Sequence, residues 1–202
     1  MLTRTLTRSD ESSARHFARC LILSVLGAAL TSVGSRIAIP FWPVPLTLQV
    51  FFVLLCGAAL GPRWGAAAQA QYVAAGAMGL PIFAAGRGGP GALLGPTGGY
   101  LVGFVAAACV TGWLTERSTT AIRRRIPGAS AVPYAATLAG AAVIWLCGWL
   151  WLAVWSSRGG EPAPLRQAFI WGVAPFVAAD VVKATAAAAA GRLLRRTTGA
   201  QD

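Results

Sequence analysis

Asp180 and Lys183 are the two charged residues that fall deep within an apolar stretch of this chain, and Lys183 is its only lysine. Three positions apart on a helix, they share one face. An ionisable side chain in hydrocarbon is expensive, so such residues usually line a site or a pathway. A mutually neutralising structural pair would also account for opposite charges at this spacing. It would not call for the proline-marked break just ahead of them, Pro175-Phe176, where the ring removes an amide donor. The context therefore points to a ligand site. If the last span begins near Pro175, that site opens outward.

Two further segments supply polar groups and backbone freedom. Residues 81–100 hold Gly86, Gly88, Gly89, Gly91, Gly95, Gly98 and Gly99, too many for a helix and suited to close approach of backbone to something else. Gly86, Gly88 and Gly91 match G-x-G-x-x-G, but no strand precedes them and no βαβ unit surrounds them, so the match is accidental. A loop capping a small ligand fits this segment; a plain flexible linker is the alternative. The other segment is 39–49, where Pro40, Pro43 and Pro45 favour a stiff extended chain. Phe41 and Trp42 offer flat apolar surfaces there, and Thr47 and Gln49 follow with hydrogen-bonding groups. An acid, a base, several amides and aromatic walls around one pocket are the usual constituents of a small-molecule site.

Enzyme chemistry is poorly supplied. His16 is the sole histidine, and Asp180 is the one deep carboxylate, so neither an acid–base pair nor a carboxylate metal cluster can be assembled. Cys20, Cys56, Cys109 and Cys147 show no C-x-x-C spacing and sit in apolar sequence, where cysteine behaves as a small hydrophobe. No G-x-x-x-x-G-K-[ST] is present, so any ATP-driven step belongs to another chain. The expectation is a non-enzyme with no metal and no cofactor.

The elements that must position these residues follow from composition. Of 202 residues, 56% are hydrophobic and 11% charged, against about 45–50% and about 25% in soluble domains; mean hydropathy is +0.62. A net charge of +11 suggests nucleic acid, but the arginines are scattered between apolar blocks and form no continuous basic face. The composition is that of a polytopic membrane protein. A bilayer core of about 30 Å needs about 20 apolar residues as helix, and six stretches qualify, near 17–39, 46–62, 64–82, 97–115, 132–155 and 168–194. The fold expected is therefore all-α and integral to the membrane, with a glycine-rich outer loop between the third and fourth helices. Residues 1–16 form a polar N-terminal tail, 17–196 the six-helix domain and 197–202 a C-terminal tail. Span three carries Gln69, Gln71 and Tyr72, which should face the interior.

Twelve arginines fall in the connections on one side (Arg4 to Arg19, Arg63, Arg117 to Arg125, Arg192 to Arg196), against Arg36, Arg87, Arg158 and Arg166 on the other. The positive-inside bias places both termini in the cytoplasm. Trp42, Trp64, Trp113 and Trp155 fall near span ends, whereas Trp145, Trp149 and Trp151 lie deeper and read as packing or lipid contacts. In span one, Gly27, Thr31 and Ser35 recur at i, i+4 and i+8 with Ala28 and Ser32 beside them. Such a small-residue face serves close helix packing, within the bundle or against another membrane subunit.

With these residues in place, the sequence resembles the BioY family, the substrate-binding S components of biotin transporters in the energy-coupling-factor (ECF) class. The likeness runs from span one to span six. It is carried by Ile39-Pro40, Pro43-Val-Pro45-Leu-Thr47-Leu-Gln49, Gly57-Ala-Ala-Leu-Gly61, Tyr72, Gly79-Leu-Pro81-Ile-Phe83, Gly95-Pro-Thr-Gly-Gly-Tyr100, and Pro175-Phe176 with Asp180 and Lys183. The resemblance implies six helices, cytoplasmic termini and a high-affinity biotin site near the outer face of a prokaryotic cell membrane. By position it assigns Asp180 and Lys183 to that site, covered by the loop from Phe83 through Gly86 and Arg87 to Gly95. Thr47, Gln49 and Tyr72 complete the expected set. The resemblance also implies a transmembrane T component docked on Gly27, Ala28, Thr31 and Ser32, and two ATPase subunits. The long arginine-rich segment before span one departs from the family core. Biotin suits the residues: its ureido N–H groups fit a carboxylate, while Lys183 would serve either the ligand's carboxylate or its ureido oxygen. A solitary facilitator, an S component for another small vitamin, and a non-catalytic subunit with a structural Asp–Lys pair are the competing readings.

Overall fold

The computed structural model describes residues 2–123, 131–158 and 164–197. The described residues are helical apart from one small ribbon and the turns that join the elements. In order come α1 (Leu2–Arg36), β1 (Ala38–Ile39), β2 (Leu46–Thr47), α2 (Gln49–Ala77), a 3₁₀ turn (Ala84–Gly86), α3 (Pro90–Leu94), α4 (Gly98–Arg123), α5 (Val132–Ser157), α6 (Pro164–Gly172) and α7 (Val177–Thr197). Helix α1 begins at Leu2 and continues unbroken through the segment expected as a tail. No glycine or proline occurs before Gly27, so nothing in that stretch stops a helix.

Helix α2 covers what the sequence divides into spans two and three, and it is a hairpin. Gly61 takes φ 80°, ψ −179°, a conformation open essentially to glycine alone. Pro62 then starts the return arm, where its missing N–H is no loss. The arms run antiparallel: Gln49 and Tyr72, 23 residues apart in sequence, are hydrogen-bonded at 2.5 Å. They also lie close together, since a Cβ added to Gly65 would come within 2.8 Å of the Gly57 Cα. The return arm ends at Ala77 rather than near residue 82, because Gly79 turns the chain with φ 105°.

Among the described residues, Ala14–Arg36, Gly98–Arg117 and Val132–Ser157 are each long and apolar enough to cross a membrane, and Gln49–Ala77 meets the same length and composition only with its two hairpin arms taken together, as a fourth. Pro164–Gly172 and Val177–Arg195 make a fifth when taken together, bent by 53° at the break that contains Pro175. Helix α2 packs centrally, against α1, α4 and α7, and α5 bridges α4 to α6 and α7. Val53, Leu54, Tyr72, Ile144 and Leu152 are fully buried at the centre.

The interior also takes the polar residues of the return arm. Gln69 is fully buried and donates to Thr31 Oγ1 at 3.2 Å, and Gln71 donates to Ser24 Oγ at 3.0 Å. This corrects the docking face expected on α1. Gly27 and Thr31 point into the bundle, where a Cβ on Gly27 would come within 2.7 Å of Cys56 Sγ. The α1 surface left open carries Leu21, Ile22, Val25, Leu26, Leu30 and Val33. Ala28 and Ser32 are half-buried at its rim.

Candidate functional site

The break between α6 and α7 shapes the site. The Phe176 N–H bonds the Val173 carbonyl, and the Asp180 N–H bonds the Phe176 carbonyl, so α7 restarts with Asp180 in its first turn. That turn faces a cavity among the helices. The α1–α2 connection contributes Val44, Pro45, Leu46 and Thr47, and α2 contributes Gln49 and Val50. Phe83 and Ala84 come from the glycine-rich segment, Tyr100, Leu101 and Phe104 from α4, Ile144 and Trp145 from α5, and Phe176 and Asp180 from the α7 end.

Asp180 is 2% exposed, and both of its oxygens are engaged. Lys183 Nζ donates to Oδ1 at 2.8 Å and to the Thr47 carbonyl at 2.7 Å. The Trp145 indole N–H donates to Oδ2 at 2.9 Å. A carboxylate has about four acceptor positions, so Asp180 retains capacity toward the cavity while its charge is matched.

A second network holds the part of the wall formed by Thr47 and Gln49. Thr47 Oγ1 donates to Gln49 Oε1 at 3.0 Å, Gln49 Nε2 donates to the Tyr72 hydroxyl, and that hydroxyl donates to the Ile82 carbonyl at 3.1 Å. Tyr72 is fully buried behind the wall and meets Phe83 edge-on, with centroids 5.4 Å apart. Ser35 also donates to the Ile82 carbonyl, at 2.8 Å, and Arg36 donates to the Pro81 carbonyl at 2.5 Å. The start of the glycine-rich segment is thus tied to the end of α1.

Of the residues expected at the site, Asp180, Thr47, Gln49 and Phe83 line the cavity. Lys183 stands behind Asp180, and Tyr72 behind Gln49. Arg87, Gly86 and Gly95 are not on the wall: Arg87 Nε turns back to the Ala84 carbonyl at 3.3 Å, and Gly86 lies in the 3₁₀ turn. The Gly95 carbonyl accepts from the Trp151 indole at 2.8 Å. Phe41 and Trp42, expected as walls, do not line it either. Trp42 is 75% exposed and meets Trp171 edge-on, and Phe41 meets Phe176 from outside. Their connection folds into the β1–β2 ribbon, with Ala38 opposite Thr47, which turns Val44 to Thr47 inward and leaves residues 41 and 42 outside.

Trp145 and Tyr100 line the cavity without having been expected there. From sequence, Trp145 reads as packing or a lipid contact; its indole instead holds the acid. The signal was available, since an indole N–H deep in an apolar helix needs an acceptor and Asp180 is the one deep carboxylate. Tyr100 lines the cavity with its ring and donates to the Gly172 carbonyl, at 2.7 Å, where α6 ends. Among the described residues, no three His, Cys, Asp or Glu side chains gather as a metal ion requires.

An apolar helical bundle with a matched, buried Asp180–Lys183 pair beside a polar-and-aromatic cavity is the build of a membrane protein that binds a small molecule. The chain belongs to the BioY family, whose profile matches residues 5–200. The arginine-rich segment from residue 5 onward therefore falls within the match rather than outside the family core. The chain is 41% identical over 176 residues to the probable biotin transporter BioY of Pyrococcus horikoshii, covering 87% of this chain and 96% of that protein. It is 41% identical over 170 residues to the biotin transporter BioY of Thermotoga maritima, with 84% and 92% covered. Against that of Rhodobacter capsulatus it is 39% identical over 169 residues, with 80% and 85% covered. Its fold matches a crystal structure of the S-component for biotin from an ECF-type ABC transporter, with a TM-score of 0.74 and 26% identity over 90% of this chain and 93% of the other.

Proposed function

We propose that this chain is the S component for biotin of an ECF-type transporter. It captures biotin in the cavity at the α6–α7 break and delivers it inward, with ATP hydrolysed by separate subunits. Counting the two arms of α2 separately and α6–α7 as one gives six membrane-crossing segments. The arginine bias then puts both termini in the cytoplasm of a prokaryote and the cavity on the outer side. A T component and two ATPase subunits complete the transporter. Ala28 and Ser32, at the rim of α1, are the small residues such a membrane partner would reach.

The observation that carries the ligand assignment is the state of Asp180. Lys183 and Trp145 can only donate, so what Asp180 offers to the cavity is acceptor capacity. It takes the N–H groups of the ureido ring and turns the ligand's own carboxylate away. Thr47 and Gln49 supply the remaining polar contacts, and Phe83, Phe104 and Phe176 enclose the apolar rings and chain. The loop from Gly86 through Arg87 to Gly95 covers the opening from outside the wall.

Isothermal calorimetry of the detergent-purified chain with biotin tests this reading, with thiamin and riboflavin as competitors. Biotin alone should bind, at one site per chain. Equal binding of another vitamin, or none of biotin, would contradict it. Uptake of labelled biotin into vesicles containing this chain alone would make it a facilitator that needs no ATPase.

A further inference from the structure

We infer that Trp145 is a positioning and specificity residue of the biotin site, acting through Asp180; the inference rests on the ligand assignment above. Its bond to Asp180 Oδ2 joins α5 to α7 at the cavity wall. Lys183 alone would fix one oxygen of the carboxylate and leave its plane free to rotate. The indole fixes the other, 2.9 Å away. With both oxygens held, the carboxylate plane is fixed, and the acceptor positions that remain are the ones a ligand in the cavity can use. A ligand must then present N–H donors there, at a set angle.

The chemistry of the indole matters as much as its position. An indole N–H donates and never accepts, so Trp145 holds Oδ2 as an acceptor. A tyrosine or histidine in its place could reverse its role. The Trp145 ring also contributes apolar wall, and phenylalanine would retain much of that contact. Loss of the N–H is therefore separable from loss of the surface.

The test measures biotin and an analogue methylated on its ureido nitrogens against the wild-type chain and Trp145→Phe, each purified in detergent and checked for folding by its thermal transition. Bonds to charged groups are the stronger ones, so Trp145→Phe is expected to weaken biotin about tenfold. The methylated analogue, which cannot use the aligned acceptors, should change less than about twofold. The preference for biotin over the analogue therefore narrows. An equal loss for both ligands, or no loss for either, would overturn the inference and leave Trp145 as wall alone. Failure of the wild-type chain to bind biotin at all would overturn the ligand assignment instead, which is a separate result. Should Trp145→Phe fail to fold, Asp180→Asn replaces it: the same narrowing is then required, because an amide can no longer hold two donors from behind and accept from the ligand, and an unchanged preference would overturn the inference.

Discussion

Lys183 Nζ lies 2.8 Å from Asp180 Oδ1 and 2.7 Å from the Thr47 carbonyl oxygen, so one ammonium joins α7 to the α1–α2 connection that also lines the cavity. Three donors are available on that ammonium, and two are spent on these bonds. The lysine thus pairs with the acid and ties it to the α1–α2 connection. With the carboxylate on the wall and the amine behind it, the two residues have different tasks.

Those tasks separate in mutants. Asp180→Asn removes an acceptor that faces the ligand, and calorimetry should show biotin affinity falling at least tenfold with the thermal transition little changed. Lys183→Ala removes the counter-ion of a carboxylate that is 2% exposed. Breaking a buried pair in this way costs about 3–5 kcal/mol, so that variant should lose both affinity and thermal stability.

The hairpin of α2 depends on Gly61. Its φ of 80° penalises any side chain, and a Cβ there would run into the Glu116 carboxylate. Gly61→Ala should destabilise the protein by about 1–3 kcal/mol, read as a lowered thermal transition. Gly91→Ala is the control: a Cβ there meets nothing within 4 Å, and stability should not change.

Tyr100→Phe removes one hydroxyl and leaves the Gly172 carbonyl without its donor at the end of α6. An unsatisfied buried acceptor costs about 1–3 kcal/mol. Because Phe176 and Asp180 follow that break, biotin affinity should fall several-fold along with thermal stability. A change in stability with unaltered affinity would detach Tyr100 from the site.

Gly27→Trp separates internal packing from partner docking on α1. The substituted side chain would meet Cys56 and Ala68 within the bundle, so the variant should fail to reach the membrane as folded protein. Leu26→Trp, on the exposed face, should be tolerated and should retain biotin binding.

Much of this arrangement was legible in the residues themselves. Gly61-Pro62 marks the hairpin turn, Pro175 the broken last span, and the isolated Asp180 and Lys183 a buried pair at the cavity, because each is a local chemical requirement that packing cannot override. Gln69 and Tyr72 had to face inward for the same reason. What escaped was set by distant contacts. Trp145 and Asp180 are 35 residues apart, and nothing local tells an indole that bonds a carboxylate from one that faces lipid. The small residues Gly27 and Thr31 suit either an internal or an external helix neighbour, and only the position of Cys56 and Ala68 decides between them. Arg87 was expected at the site only through the resemblance, as part of the covering loop. Its own turn supplies an acceptor at Ala84, which local sequence does not reveal.

The central claim is that a carboxylate held from behind by a lysine and a tryptophan receives biotin. The most direct measurement is a titration of labelled biotin into the purified wild-type chain and into Asp180→Asn, side by side. The account predicts one site per wild-type chain with Kd below about 1 μM, and a loss of at least tenfold in the variant. Equal affinity in the two proteins, or no saturable binding in either, would contradict it.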